Sequence, residues 1–250
     1  MRQGGEASQK TTIVTAAQGQ QPGSASTLLI RAALQLVFAF AIWGGLLFGS
    51  AGDVAWLRGW LHIGLWLATF VINALLLVRL NRDVLSARLK PTWSTEWADT
   101  ILLVLFLFVT LAVPVVAGLD AVRYGWSPLP FWPVYLGLVL HASGDALLLW
   151  TMIINPFLEK AVRVQTERGH HVITTGPYAM VRHPMYLGVV LMFLAVPLML
   201  GSAWTFAPVV AMALLLTVRT VLEERLLRRE LPGYEEYMSR TRWRVIPGIW

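Results

Sequence analysis

Cysteine is absent from the 250 residues, which excludes disulfides, thiolate nucleophiles and cysteine-ligated metals. Charge is scarce as well: Asp, Glu, Lys and Arg make up 14% of the residues, against about 25% in soluble domains. No strand followed by a glycine-rich turn and a helix is found, so a Rossmann-type nucleotide site is not predicted. The net charge of +6 fits contact with anionic lipid headgroups better than nucleic-acid binding. We therefore expect membrane lipids as partners, no nucleic acid and no metal.

Hydrophobic residues, 56% of the chain, are gathered into blocks long enough to cross a bilayer. The blocks are 32–52, 59–78, 100–119, 131–154 and 184–218. The last holds 35 residues, too many for one crossing, and Gly201-Ser202 divides it into two arms. The sequence thus predicts an all-α, polytopic membrane protein with about six transmembrane helices, the last two forming a hairpin over 184–222.

Basic residues indicate the orientation, because Lys and Arg collect on the cytoplasmic side of short loops. With both termini in the cytoplasm, only Arg58 and Arg123 of the 20 Lys and Arg residues fall outside. Residues 1–26, rich in Gln, Gly, Ser and Thr, are predicted to be a disordered tail, followed by four transmembrane helices over 27–154. Residues 155–250 then form a region whose polar parts face the cytoplasm.

The fourth predicted helix carries two ionisable residues, His141 and Asp145, four positions apart and therefore on one face. Ionisable groups at membrane depth usually face a partner or a cavity. A functional site and a mutually satisfied packing pair are equally compatible with this pattern.

A polar segment between the fourth and fifth helices offers more chemistry. Its first part, residues 157–165, alternates apolar and charged residues as an interfacial helix ending at Gly169 would. Pro184 then favours a helix start directly after His183, where free N–H groups attract anions. An amino-acid carboxylate would fit there, and Tyr178 and Tyr186 could approach a purine or a sulfonium. The alternative is an interfacial loop that holds lipid headgroups.

A second polar cluster follows the sixth helix, where Arg219, Glu223 and Glu224 emerge from the apolar block. Arg219 with Glu223, and Glu224 with Arg228, are spaced for simple i,i+4 ion pairs, which are worth little when exposed. Two adjacent carboxylates could instead hold the ammonium or ribose hydroxyls of a cofactor.

Together these segments resemble the isoprenylcysteine carboxyl methyltransferase family and the related phospholipid N-methyltransferases. The matching residues are Gln165, His170-His171-Val172-Ile173, Gly176, Tyr178, Arg182-His183-Pro184, Tyr186, Gly188, Arg219, Glu223-Glu224, Tyr234, Tyr237 and Pro247. The likeness covers residues 155–247. The stretch between Gln165 and Gly176 is shorter here than in the eukaryotic prenylcysteine enzymes.

The resemblance implies an S-adenosylmethionine-dependent methyltransferase with its site on the cytoplasmic face and a lipid-like acceptor, a carboxylate such as a prenylated cysteine. It implies catalytic roles for Arg219, His183 and Arg182. Implied cofactor contacts are Gln165, His170, His171, Val172, Ile173, Tyr178, His183, Pro184, Met185, Tyr186, Glu223 and Glu224. The alternatives are N-methylation of a phospholipid amine, with His183 as a base, an NADPH-dependent sterol-type reductase, and a transporter without enzymatic activity.

Overall fold

The structure is a computed structural model that describes residues 24–90, 97–159 and 163–250. Within these residues it contains eight α-helices and no named strand, which confirms the all-α prediction. They are α1 (Ala25–Ala51), α2 (Leu57–Leu80), α3 (Arg82–Leu89), α4 (Trp97–Gly118), α5 (Pro133–Ile154), α6 (Pro184–Leu200), α7 (Phe206–Glu230) and α8 (Tyr234–Arg240).

Five of these helices are long and apolar enough to cross a membrane, namely α1, α2, α4 with its π-helical extension to Tyr124, α5 and α7. Helix α6 is apolar but shorter, at 17 residues, or about 25 Å. Large apolar side chains such as Phe38, Phe108 and Leu214 are exposed on these helices, as expected of surfaces that face lipid. The prediction of a polytopic protein with six apolar helices is confirmed.

The predicted hairpin forms with its turn where the sequence indicates it. Gly201 ends α6 in the left-handed conformation, with φ of 77°, and its N–H donates to the carbonyl of Pro197. Ser202, fully buried, donates its hydroxyl to Asp120 at 2.6 Å. The hairpin turn is therefore fastened to the end of α4, and α7 continues as helix to Glu230, past the predicted limit of 222.

Helices α5 and α6 touch backbone to backbone through glycine. A Cβ placed on Gly188 would lie 2.8 Å from the carbonyl oxygen of Gly144, and one on Gly144 would lie 2.6 Å from that of Gly188. Such close approach needs residues without side chains. It holds the first turns of α6 against the middle of α5.

Helix α3 is short and was not predicted. Asn81 caps its N-terminus by accepting from the N–H of Val84, and the Asn81 amide donates to the carbonyl of Met152 in α5 at 2.9 Å. Val84 and Leu89 are buried in an apolar cluster with residues of α1, α2 and α5. Helix α3 is thereby fixed against the bundle.

The expected interfacial helix over 157–165 does not form in its described residues, 157–159 and 163–165. Gln165, at its end, is buried and donates its side-chain amide to the carbonyl of Phe157 at 2.6 Å, which brings these two residues together. A single 3₁₀ turn, Thr166–Arg168, follows, and Gly169 ends that turn in the left-handed conformation.

The predicted tail falls almost wholly outside the described residues. Of residues 1–26, only 24–26 are described, and there Ser24 caps α1 while the helix begins at Ala25.

Candidate cofactor and acceptor site

A cavity opens where the loop between α5 and α6 meets the ends of α6, α7 and α8. It encloses about 850 Å³ of empty space, including the part open to solvent. Most of the predicted site residues lie on its wall: His170, His171, Val172, Ile173, Tyr178, Arg182, His183, Pro184, Met185, Tyr186, Arg219 and Glu223. Residues far apart in the sequence are thus brought to one cavity.

The start of α6 is built as the Pro184 motif predicts, with His183 directly before the first helical residue. The His183 and Tyr186 rings stack almost in parallel, with centroids 5.4 Å apart and planes at 4°. The N–H groups of Arg182 and His183 donate to the carbonyls of Trp243 and Arg244 at 2.9 and 2.8 Å. The C-terminal segment therefore occupies two N–H groups that precede the helix.

Arg219 and Glu223 also line the cavity, and each has a partner from another helix. The Tyr186 hydroxyl donates to the Glu223 carboxylate. Arg219 pairs with Asp99 of α4, with Nε and Oδ1 3.0 Å apart, and is only 9% exposed. The simple Arg219–Glu223 pair considered for the sequence is replaced by partners that leave both groups on the cavity.

Glu224, one residue further, is not on the cavity wall. Its buried carboxylate accepts from Arg182 Nε at 2.6 Å and Arg244 Nε at 2.8 Å, and lies 3.3 Å from His183 Nε2. Arg228, its expected partner, pairs instead with Glu235. Glu224 thus ties together α7, the start of α6 and the C-terminal segment.

Gln165 is the other predicted contact that lies off the wall. Besides its bond to Phe157, it accepts from Arg168 at 2.6 Å, and its N–H donates to His170 Nδ1 at 3.3 Å. The His170 ring stacks on Phe157 with centroids 4.4 Å apart. Burial, followed by the neighbouring His171, lowers the pKa of His170 below its ordinary value. Both histidines line the cavity, so both remain candidates.

Three buried tyrosines, Tyr178, Tyr234 and Tyr237, line the cavity on the side of α8 and the 3₁₀ turn Gly176–Ala179. Asn155, at the end of α5, donates to the Tyr178 hydroxyl at 2.7 Å, and the Tyr237 hydroxyl donates to the Tyr178 carbonyl at 2.8 Å. Burial raises the pKa of Tyr237 to about 12. Tyr234 is 4% exposed, and its hydroxyl has no hydrogen-bond partner among the described residues.

Sequence reasoning missed Asn155, Asp99 and Tyr234 as members of this site. Asn155 was assigned no functional role from the sequence, and Tyr234 appeared only among the residues of the family resemblance. Asp99 carried one usable signal: it is a carboxylate at the start of an apolar block, at the same side of the membrane as Arg219.

His141 and Asp145 lie outside this cavity and find separate partners in α2. Asp145 accepts from the Asn73 amide at 2.7 Å, and His141 Nε2 lies 3.5 Å from the Thr69 hydroxyl. These contacts favour a packing role for His141, whereas Asp145 also borders a second cavity, considered below.

Comparison with known proteins gives a family match in the part of the chain that contains most of the cavity residues. Residues 132–232 match the model of the phospholipid methyltransferase family. The match runs from the start of α5 through α7 and supports a membrane methyltransferase. The resemblance inferred from the sequence is confirmed at the level of this related family, while membership among the isoprenylcysteine carboxyl methyltransferases stays a prediction.

A curated relative is similar over a shorter stretch of the chain. The chain is 32% identical over 83 residues to the nickel-cobalt-cadmium resistance protein NccN of Alcaligenes xylosoxydans xylosoxydans, which covers 32% of this chain and 38% of that protein. The chain thus matches well under half of that relative's length. Among the described residues, no group of three or more His, Asp or Glu side chains is placed to hold a metal ion.

Proposed function

We propose that the chain is an S-adenosylmethionine-dependent methyltransferase of the membrane, acting on a lipid-like acceptor whose reacting group is a carboxylate, as in a prenylated cysteine. The observation that carries this proposal is the meeting of Arg219 and Glu223 with His183 and Tyr186 on one cavity at the membrane boundary. An anion, a cation and an aromatic stack are then available within one site.

The residues fit S-adenosylmethionine group by group. The Glu223 carboxylate suits the ammonium or a ribose hydroxyl, and the His183–Tyr186 stack suits the adenine or the sulfonium. The buried Tyr234 hydroxyl, which has no hydrogen-bond partner in the described part of the chain, fits a polar group of the ligand, because such groups are costly when unpaired. When bound, the cofactor supplies an activated methyl group, and the transfer depends chiefly on how the acceptor is placed.

Arg219 is the residue we assign to the acceptor. Asp99 fixes its guanidinium from a separate helix, and Arg219 lies on the wall of the cavity. A carboxylate acceptor would need orientation but no general base. The phospholipid methyltransferase match favours a second candidate, a phospholipid amine, and there His183 would be the base.

Binding of the cofactor distinguishes a methyltransferase from a reductase or a transporter. Calorimetry of the purified protein should show binding of S-adenosylmethionine and S-adenosylhomocysteine and none of NADPH. Glu223→Gln and His183→Ala should each weaken S-adenosylhomocysteine about ten- to a hundredfold, whereas Glu230→Gln, exposed on the same helix, should not. Wild-type affinity in both site variants would refute the site, and NADPH binding alone would favour the reductase.

Turnover then separates the two acceptors. Arg219→Ala should lose most transfer to a prenylcysteine analogue and keep S-adenosylhomocysteine affinity within a few-fold, and Arg219→Lys should recover only part because an ammonium lacks the bidentate fork. Transfer to phosphatidylethanolamine with no transfer to the prenylcysteine analogue would establish the amine instead.

We also propose that the cavity faces the cytoplasm, because the basic residues favour that orientation. A cysteine introduced at Ser239 in α8 should react with an impermeant reagent only from the cytoplasm, and one at Val54, between α1 and α2, only from outside. Both positions are exposed. Reaction of the Ser239→Cys variant from outside would reverse the orientation.

A further inference from the structure

A second cavity lies within the membrane-spanning part, bordered by α1, α2, α3, α5 and α6. Its volume is about 420 Å³, and its wall is mostly apolar. Representative wall residues are Leu36, Phe40, Trp66, Phe70, Leu77 and Leu148. The dimensions and the lining suit a hydrocarbon chain.

Arg88 of α3 stands where this cavity adjoins the first one. It lines the second cavity, and its Nη1 donates to the sulfur of Met185, 3.6 Å away, while Met185 lines the first. A thioether is a weak acceptor for a guanidinium. No carboxylate among the described residues lies within ion-pairing distance of Arg88.

Two further facts make Arg88 unusual. Burial, followed by the nearby charge of Arg219, lowers the pKa of Arg88, so two guanidinium groups approach the same boundary. Helix α3 is held in place by its buried apolar face and by Asn81. Arg88 therefore cannot reach solvent by a movement of the helix. An anion placed between the cavities would be attracted by both arginines.

The other polar end of the second cavity has the opposite charge. Asp145, already bonded to Asn73, lies nine residues before the end of α5, about 13 Å along the helix axis. Its carboxylate would repel an anion at that depth. The cavity is therefore polarised, with its anion-binding end at Arg88 and its chain-binding part running toward Asp145.

We infer that Arg88 binds the anionic group, a carboxylate or a phosphate, of a single-headed amphiphile whose hydrocarbon chain occupies the second cavity, and that this amphiphile is the methyl acceptor. The identification of this amphiphile as the methyl acceptor rests on the proposed function, whereas the binding site at Arg88 does not. A carboxylate held by both arginines would itself be methylated. A phosphate held by Arg88 would leave a neighbouring amine for the cofactor cavity.

The test uses full-length protein in dodecyl maltoside, whose headgroup is uncharged. The probe is cis-parinarate, a fluorescent long-chain carboxylate that accepts excitation energy from tryptophan. Dodecanoate and monododecyl phosphate should displace it, and dodecyltrimethylammonium should not. The stronger of the two anionic competitors identifies the source of the anion.

Arg88→Gln should weaken parinarate binding about ten- to a hundredfold, since one charge-assisted contact is lost. Arg82→Gln is the matched control, because Arg82 lies on the same helix, is exposed and lines neither cavity. Arg88→Lys, which keeps the charge if Arg88→Gln fails to fold, should bind more weakly than wild type but retain the preference for anions. Trp66→Phe should reduce energy transfer to the bound probe.

Wild-type parinarate affinity in Arg88→Gln, or displacement by the ammonium compound as effective as by the anions, would overturn the inference. Calorimetry with S-adenosylhomocysteine on the same preparations keeps the two proposals apart. Arg88→Gln should leave that affinity within about twofold of wild type. If wild type bound no S-adenosylhomocysteine, the proposed function would fail, and the parinarate result would still decide on the anion site.

Discussion

Replacing Glu224 by Gln should detach the C-terminal segment from the start of α6 without unfolding the bundle. The change keeps the size of the side chain but removes the charge that Arg182, Arg244 and His183 share. Arg182 and Glu224 are both buried, at 7% and 3% exposed. The change would therefore leave the Arg182 guanidinium buried without a carboxylate partner.

The size of the effect follows from burial. Removing one partner of a buried ion pair typically costs about 3–5 kcal/mol, and the more exposed Arg244 adds little to this. Arg182 keeps its bonds to the carbonyls of Thr241 and Arg242, each 2.8 Å, which places the expected cost near the lower limit. About 3 kcal/mol corresponds to roughly a hundredfold change in the opening equilibrium of the segment.

Hydrogen exchange measures this opening directly. The amides of Arg182 and His183, which donate to Trp243 and Arg244, should exchange about a hundredfold faster in Glu224→Gln, while amides within α5 keep their protection. Glu230→Gln serves as the control. Unchanged exchange at residues 182 and 183 would show that the buried carboxylate does not hold the segment, and equal acceleration throughout α5 would show global rather than local loss.

Three further predictions follow from single contacts. Tyr234→Phe should leave thermal stability unchanged or slightly higher, since an unpaired buried hydroxyl is removed, yet weaken S-adenosylhomocysteine about three- to tenfold by calorimetry; equal affinity would exclude a ligand contact. Asp99→Asn should lower turnover about tenfold with cofactor affinity within twofold, because Arg219 loses its ionic partner, and a loss of cofactor binding would contradict this. Burial lowers the pKa of His170, so the folded loop favours the neutral imidazole. The stability that the loop gains from neutral His170 is complete above the ordinary pKa of 6.5 and is lost as the pH falls through the lowered pKa. S-adenosylhomocysteine affinity should therefore fall on acidification, and the part due to this loop should be absent in His170→Gln, whose amide oxygen can accept the same hydrogen bond; identical pH profiles would refute it.

Much of the fold could be predicted because local rules decided it. Four of the five membrane blocks contained no Asp, Glu, Lys or Arg, Gly201 supplied the left-handed residue that a hairpin turn needs, and Pro184 fixed the first turn of α6. His183, Tyr186 and Glu223 reached one cavity because each sits at the polar end of an apolar helix, where the chain leaves the membrane on the same side.

The parts that escaped prediction depend on distant partners. Arg219 is placed by Asp99, 120 positions earlier, and no spacing rule connects them. The amphipathic alternation over 157–165 predicted a helix, but the buried Gln165 bonds to the backbone of Phe157 and bends the chain. Glu223 and Glu224 look equivalent in the sequence. Helical rotation turns one to the cavity and the other to Arg182, and only the packed structure shows which is which.

The contact between Gly144 and Gly188 makes α5 and α6 a single rigid unit. Because the two backbones already touch, α5 and α6 have no slack to slide past or separate from each other without losing that packing. Asn155 and His183, at the ends of these helices, are consequently a rigid reference for everything that binds beside them. A motion that admits a bulky lipid therefore has to come from elements outside this pair, such as α4 and the C-terminal segment, which carry Asp99 and Arg244.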